Sequence, residues 1–142
     1  MHNAEHHVGR LLEVKLASPV SAEEVQEFVR ELMTIIARMP GKYVGVVDLL
    51  DAHLFPPPVT DTLIQLLSAS SPRVERTAML IGESATFALQ VERVIRSANN
   101  ENRRVFRRAE ELEAWLAETL SAAERVRLRV FLDGRRAFAP LR

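Results

Sequence analysis

The sequence contains no cysteine, so disulfides, thiolate zinc sites, iron–sulfur clusters and thiol nucleophiles are excluded. Glycine is scarce, with five in 142 residues, and no GxGxxG or GxxxxGK[ST] spacing occurs. A glycine-built phosphate cradle is therefore not encoded. Neither GxSxG nor HExxH is present, and nothing pairs a nucleophile with a base. No apolar run approaches the ~18 residues of a membrane span. Residues 1–10 also lack the apolar segment of a signal peptide, so a cytoplasmic protein is expected. Charge of one sign is missing too. The 19 basic and 19 acidic residues cancel, which argues against a nucleic-acid partner and against a disordered polyelectrolyte.

What is present is a well-patterned single domain. Hydrophobic residues make up 47% of a chain long enough to bury a core without a staple. Residues 1–71 carry 5 basic against 9 acidic residues, a balance of −4. Residues 72–142 carry 14 against 10, a balance of +4. Packing of the two halves against each other would neutralise both.

Strand and helix signals alternate. Val8 to Ala17 places Leu12, Val14 and Leu16 on one face, with Glu13 and Lys15 on a wet face near a sheet edge. Ser21 and Glu24 form a capping box, followed by apolar residues at helical spacing to Met39, where Pro40-Gly41 stops the helix. Tyr43 to Leu50 and Thr77 to Gly82 read as strands buried on both faces. Between them Thr60 caps a short helix after three prolines. Ser84 caps the next helix, and Arg103 to Arg108 is a short strand. Leu112, Trp115 and Leu116 mark another helix. Ser121 and Glu124, a second capping box, open a last helix that Gly134 should stop. The resulting order, β-α-β-α-β-α-β-α-α, predicts an α/β fold with a small, mainly parallel four-stranded sheet flanked by helices. The expected divisions are a disordered His-containing N-terminus (1–7), a domain over 8–120, and a C-terminal helical extension and tail (121–142).

Four stretches carry a resemblance: the helix Ser21–Met39, VGVVDLLDAHLF (44–55), RVERTAMLIGES (73–84) and NRRVFRRAEELEAWL (102–116). In their order and spacing the chain resembles the SpoIIAA-like branch of the STAS domains, the sulfate transporter and anti-sigma-factor antagonist domains. The resemblance implies a compact α/β domain that works through binding rather than catalysis, with protein partners and no cofactor. Some members are switched by a serine phosphate at the start of the helix after the second core strand. The matching region here is FPPPVTDTLIQLL (55–67), where Thr60 and Thr62 are the only hydroxyls and prolines and Val59 depart from the usual pattern. Lipid-binding domains of the same general shape make a small apolar or anionic ligand the alternative.

Several candidates follow, each beside a plainer reading. Thr60, with Thr62, Asp51 and His53, marks a switch or interaction face, because a phosphate at a helix N-terminus meets free amides and the helix dipole. The plainer reading of Thr60 is an N-cap. Asp48, Asp51 and His53 beyond the central strand offer a divalent-metal set, or simply a polar turn. Gly82 and Ser84 offer amides to an anion, or an ordinary strand-to-helix turn. Metal binding by His2, His6 and His7 competes with a frayed end. Arg103, Arg104, Arg107 and Arg108 beside Phe106 suit RNA, or an edge that discourages sheet extension. Val130, Phe131, Phe138 and Leu141 are apolar beyond what a small exposed end should show. They cover the sheet or meet a partner, a second copy included.

Overall fold

The computed structural model describes residues 1–98 and 101–137. Its sheet has strands β1 (His2–His6), β2 (Leu11–Leu16), β3 (Tyr43–Asp48), β4 (Val74–Leu80) and β5 (Arg103–Phe106), hydrogen-bonded in that order. β1 runs antiparallel to β2, and the remaining neighbours are parallel. Helices α1 (Ala22–Arg38), α2 (Pro57–Ser70), α3 (Ala85–Ser97), α4 (Ala109–Ala117) and α5 (Ala122–Ala137) complete the fold. It is α/β with a mostly parallel sheet, as the alternating signals predict.

Alternation along the strands sends side chains to two cores. Leu12, Val14 and Leu16 of β2 join Tyr43 and Met79 against α1, α2 and α3. Leu11, Val44, Val46, Ala78 and Leu80 face α4 and α5 and meet Leu112, Leu116, Leu128 and Leu132. Phe131 packs against this second cluster, while Val130 stays half exposed. Phe138 and Leu141 lie outside the described residues.

Four expectations need correction. The N-terminus is a strand rather than a disordered segment, and it brings the sheet to five strands. HNAEH has no β-branched or aromatic residue to announce it. It is held instead by its ladder to β2, from His2 opposite Leu16 to His6 opposite Leu12. The expected wet face of β2 is covered: Glu13 is buried and α5 lies over it. Helix α2 starts at Pro57 with Pro56 as N-cap, since proline fits a first turn, whose amides have no intrahelical acceptor. Thr60 therefore sits inside the helix rather than capping it. Gly134 lies within α5, which continues to Ala137.

Caps behave as their residues suggest, with one exception. Ser21 Oγ accepts from Glu24 N–H at 3.0 Å, and Ser84 Oγ from Phe87 N–H at 3.1 Å. Ser121 and Glu124 close a reciprocal box: Glu124 N–H donates to Ser121 Oγ at 3.2 Å and Ser121 N–H to Glu124 Oε1 at 2.8 Å. Glu24 instead turns to β1, where its carboxylate meets His2 Nδ1 and the N-terminal ammonium, each at 3.0 Å.

His2 pins β1 to α1. Its Nε2 also reaches Glu31 at 3.1 Å, and its ring meets Phe28 edge-on. The hydrogen bond to Glu24 raises the His2 pKa, and burial opposes that rise only in part. A raised folded value means that the stabilisation is complete below the unfolded value near 6.5 and fades as pH rises through the folded value. Protonated His2 should therefore contribute about 1 kcal/mol at pH 6 and progressively less above that. Urea unfolding of the wild type and His2→Gln checks this. The gap between the two should close on going from pH 6 to pH 9.

Candidate functional site

Between the sheet and helices α1, α2 and α3 lies a cavity of about 90 Å³. Its floor is Leu12, Val14, Leu16, Tyr43, Gly45, Val47, Thr77 and Met79, and its walls include Phe28, Leu32, Leu63, Leu66, Leu67 and Val91. The space equals about three waters by liquid volume, and its lining is overwhelmingly apolar. A drug-sized ligand needs about 300–1,000 Å³, so only a small molecule fits the cavity as it stands. Gly45 helps to keep the floor low. A Cβ there would stand 3.1 Å from Thr77 Oγ1, against the neighbouring strand.

The cavity has two unlike ends. Because β3 and β4 are parallel, Tyr43, Thr77 and Arg103 mark the end at the strand N-termini, joined by Ser70 from α2. Arg103 is only 5% exposed. Its Nη1 donates to Ser71 Oγ at 3.1 Å, and its Nη2 to Leu67 O at 3.0 Å and Ser70 Oγ at 3.2 Å. Burial lowers the Arg103 pKa, and the neighbouring Tyr43 phenol opposes the shift. The Nε–H is buried and has no hydrogen-bond partner among the described residues.

The other end is closed by the segment between β3 and α2. Gln90 of α3 clamps Phe55 there. Phe55 N–H donates to Gln90 Oε1 and Gln90 Nε2 donates to Phe55 O, both at 2.9 Å. Phe55 and Phe87 rings meet edge to face at 5.5 Å. On its other side the segment is tied to the chain after β2. His53 N–H donates to Ser18 Oγ at 3.0 Å, Ser18 Oγ donates to His53 O at 3.3 Å, and Lys15 reaches Asp51 at 3.5 Å. Leu54 and Leu89 flank the Phe55–Gln90 clamp and are 51% and 62% exposed.

The remaining candidates scatter. Thr60 Oγ1 donates to Pro57 O at 2.9 Å, and Thr62 Oγ1 to Pro58 O at 3.1 Å while accepting from Gln26. Buried Asp48 accepts from Leu50 N–H, whereas Asp51 and His53 are exposed. Among the described residues, the carboxylates and imidazoles that converge in threes are His2–Glu27–Glu31 and Glu5–His7–Glu13, not Asp48–Asp51–His53. Both sets already have internal partners. His2 is bound by Glu24 and Glu31, and Glu13 by Arg127. Gly82 is half-buried and Ser84 serves as the α3 cap. Of the arginine cluster, Arg104, Arg107 and Arg108 are exposed on the edge strand and the turn after it. Arg104 lies over the Trp115 ring at 5.0 Å, with Arg76 at 4.7 Å.

The sequence pattern misses Gln90 and marks Arg103 only as one of four clustered arginines. Arg103 alternates with Arg104 on a four-residue strand, and that alternation is the signal that one of the two must face inward.

Among the described residues no helix is long and apolar enough to cross a membrane. No known family profile and no curated protein matches the sequence. The fold itself has solved counterparts. One is an uncharacterized DUF3478-family protein with a SpoIIAA-like fold from Shewanella loihica PV-4. It superposes with a TM-score of 0.61 at 13% identity, over 82% of this chain and 92% of that one. The SpoIIAA-like fold that the four sequence stretches suggest is thus the fold of this chain.

Proposed function

We propose that the chain is a non-catalytic binding domain of STAS-like architecture that takes a small apolar ligand into the cavity and presents its occupancy to a protein partner. The cavity carries this reading. Well-packed interiors leave few voids larger than a water, and this one is lined by a sheet floor and three helices with a few polar groups at its ends. A ligand of this kind is read most directly by the segment that closes the cavity. The segment from Asp51 to Thr62 is therefore the recognition face, and the exposed Leu54 and Leu89 add apolar surface beside the Phe55–Gln90 clamp. Phosphorylation of Thr60 or Thr62 would act on the same face by adding charge near the α2 N-terminus.

Native mass spectrometry of the full chain purified from its own cells tests the reading. The expected species carries a small non-covalent mass. Leu63→Trp, which fills the cavity from α2, should lose that mass while keeping the wild-type far-ultraviolet circular dichroism. Bare protein in both samples, or equal retention in the variant, would overturn the proposal.

A further inference from the structure

We propose that the cavity's ligand is an apolar carboxylic acid, its carboxylate held by the Nε–H edge of Arg103 and its hydrocarbon lying between the sheet and α1–α3. This rests on the reading of the cavity as a ligand site and adds the chemical class.

The argument starts from charge. Among the described residues that line the cavity, Arg103 is the one ionisable cation. The acceptors around its guanidinium are two serine hydroxyls, a backbone carbonyl and the neighbouring Tyr43 phenol, none of them a carboxylate. A buried cation without an anion is costly, and a buried donor without an acceptor adds to that cost. Arg103 carries both features, since its Nε–H has no partner among the described residues.

The geometry selects the anion. Arg103 has its Nη groups committed to α2 and the turn after it, so Nε–H is the donor left for a ligand, and a carboxylate would set one oxygen on it and offer the other to the Tyr43 or Thr77 hydroxyl at the same end. Tyr43 and Thr77 stand at the same end and offer hydroxyls to a polar head, Ser70 having given its proton to Leu66 O, while the rest of the lining is hydrocarbon apart from Gln90 at the far end. A neutral apolar molecule would leave Nε–H unmatched. A phosphate ester would bring more acceptor oxygens than this one edge can serve.

The test is a nuclear magnetic resonance titration of the full chain with straight-chain carboxylates of increasing length, each beside its primary amide. The Arg103 Nε–H resonance is assigned by its loss in Arg103→Lys. One chain length should bind, its carboxylate at least about tenfold tighter than its amide, as expected for a charge-assisted bond replacing a neutral one. The Nε–H resonance should move on binding. In Arg103→Lys, which keeps the charge and loses the Nε–H, the preference should shrink. The comparison of acid with amide affinity uses the wild type alone, so it decides the anion assignment even if that variant fails to fold. Amides binding as tightly as acids, with Nε–H unmoved, would overturn the anion assignment and leave the cavity reading standing. Binding of neither series would overturn both.

Discussion

Arg127→Met should lower the free energy of unfolding by about 3–5 kcal/mol, because it strands a buried carboxylate. Glu13 lies on the face of β2 that α5 covers, and its side chain is 2% exposed. Arg127 grips it side-on, Nε to Oε2 at 2.6 Å and Nη2 to Oε1 at 2.8 Å. This bond to Glu13 also raises the Arg127 pKa, so the guanidinium stays charged throughout the accessible range. Removing the cation leaves a buried carboxylate beside the like charge of Glu5, with His7 as the nearest remaining imidazole. Replacing both partners removes the problem instead of exposing it. Glu13→Leu combined with Arg127→Met should recover most of the loss, because a buried pair contributes little over a well-packed apolar substitute. Urea unfolding of Arg127→Met, Glu13→Leu and the double variant measures this. A loss below about 1 kcal/mol in Arg127→Met would show that Glu13 is solvated and that α5 is held by its leucines alone.

The Glu13–Arg127 pair also shows where sequence pattern stops being informative. Glu13 and Lys15 alternate with Leu12, Val14 and Leu16, and period-two alternation ordinarily marks a wet face. The pattern cannot register a partner 114 residues away that neutralises the charge. Glu13–Arg127 joins the −4 half to the +4 half in the sense those balances suggest, whereas Arg10–Glu75 crosses them in the opposite sense. β1 was illegible for a similar reason. Its residues have little strand propensity, and its stability comes from the β2 edge and from α1 through His2. Where the determinants are local, the reading is close to the structure. The serine caps of α1, α3 and α5 sit where the motifs place them. Buried β3 follows its apolar run, while β4 starts at Val74, three residues before the expected Thr77, and ends at Leu80.

The candidate site was less legible than the fold. Thr60, Asp51 and His53 stand out in sequence because their chemistry is conspicuous, yet they are spread over a loop and a helix turn. The cavity is made by residues that look like ordinary core: leucines, valines, one glycine opposite a threonine. A void is a property of how side chains fail to meet, and no spacing rule encodes that. Arg103 was visible only as one of four arginines. Its distinction, inward direction with a neutral surrounding, depends on the sheet order that sets β5 beside β4.

Glu124→Ala should cost about 2–4 kcal/mol, more than an ordinary helix cap, because this carboxylate serves two elements at once. Oε1 accepts from Ser121 N–H and starts α5, while Oε2 accepts from Arg10 N–H at 2.5 Å and anchors the turn between β1 and β2. Burial alone would raise its pKa, but the amides of Arg10 and Ser121 outweigh it and hold the value below the usual carboxylate range. A depressed folded value places the stabilisation above the unfolded value near 4.5, and it is lost as pH falls through the folded one. The gap between the wild type and Glu124→Gln should therefore narrow on acidification below about pH 4.5. Gly9 makes the arrangement possible. Its φ is +56°, and a Cβ there would stand 2.2 Å from Glu124 Oε2. Gly9→Ala thus combines left-handed backbone strain of about 1–2 kcal/mol with displacement of the carboxylate. Since both substitutions break the same contact, their costs should not add: the double variant should fall short of the summed single losses by about 1 kcal/mol or more. Equal sums would mean that Gly9 acts through its backbone alone and that the carboxylate has room to move aside.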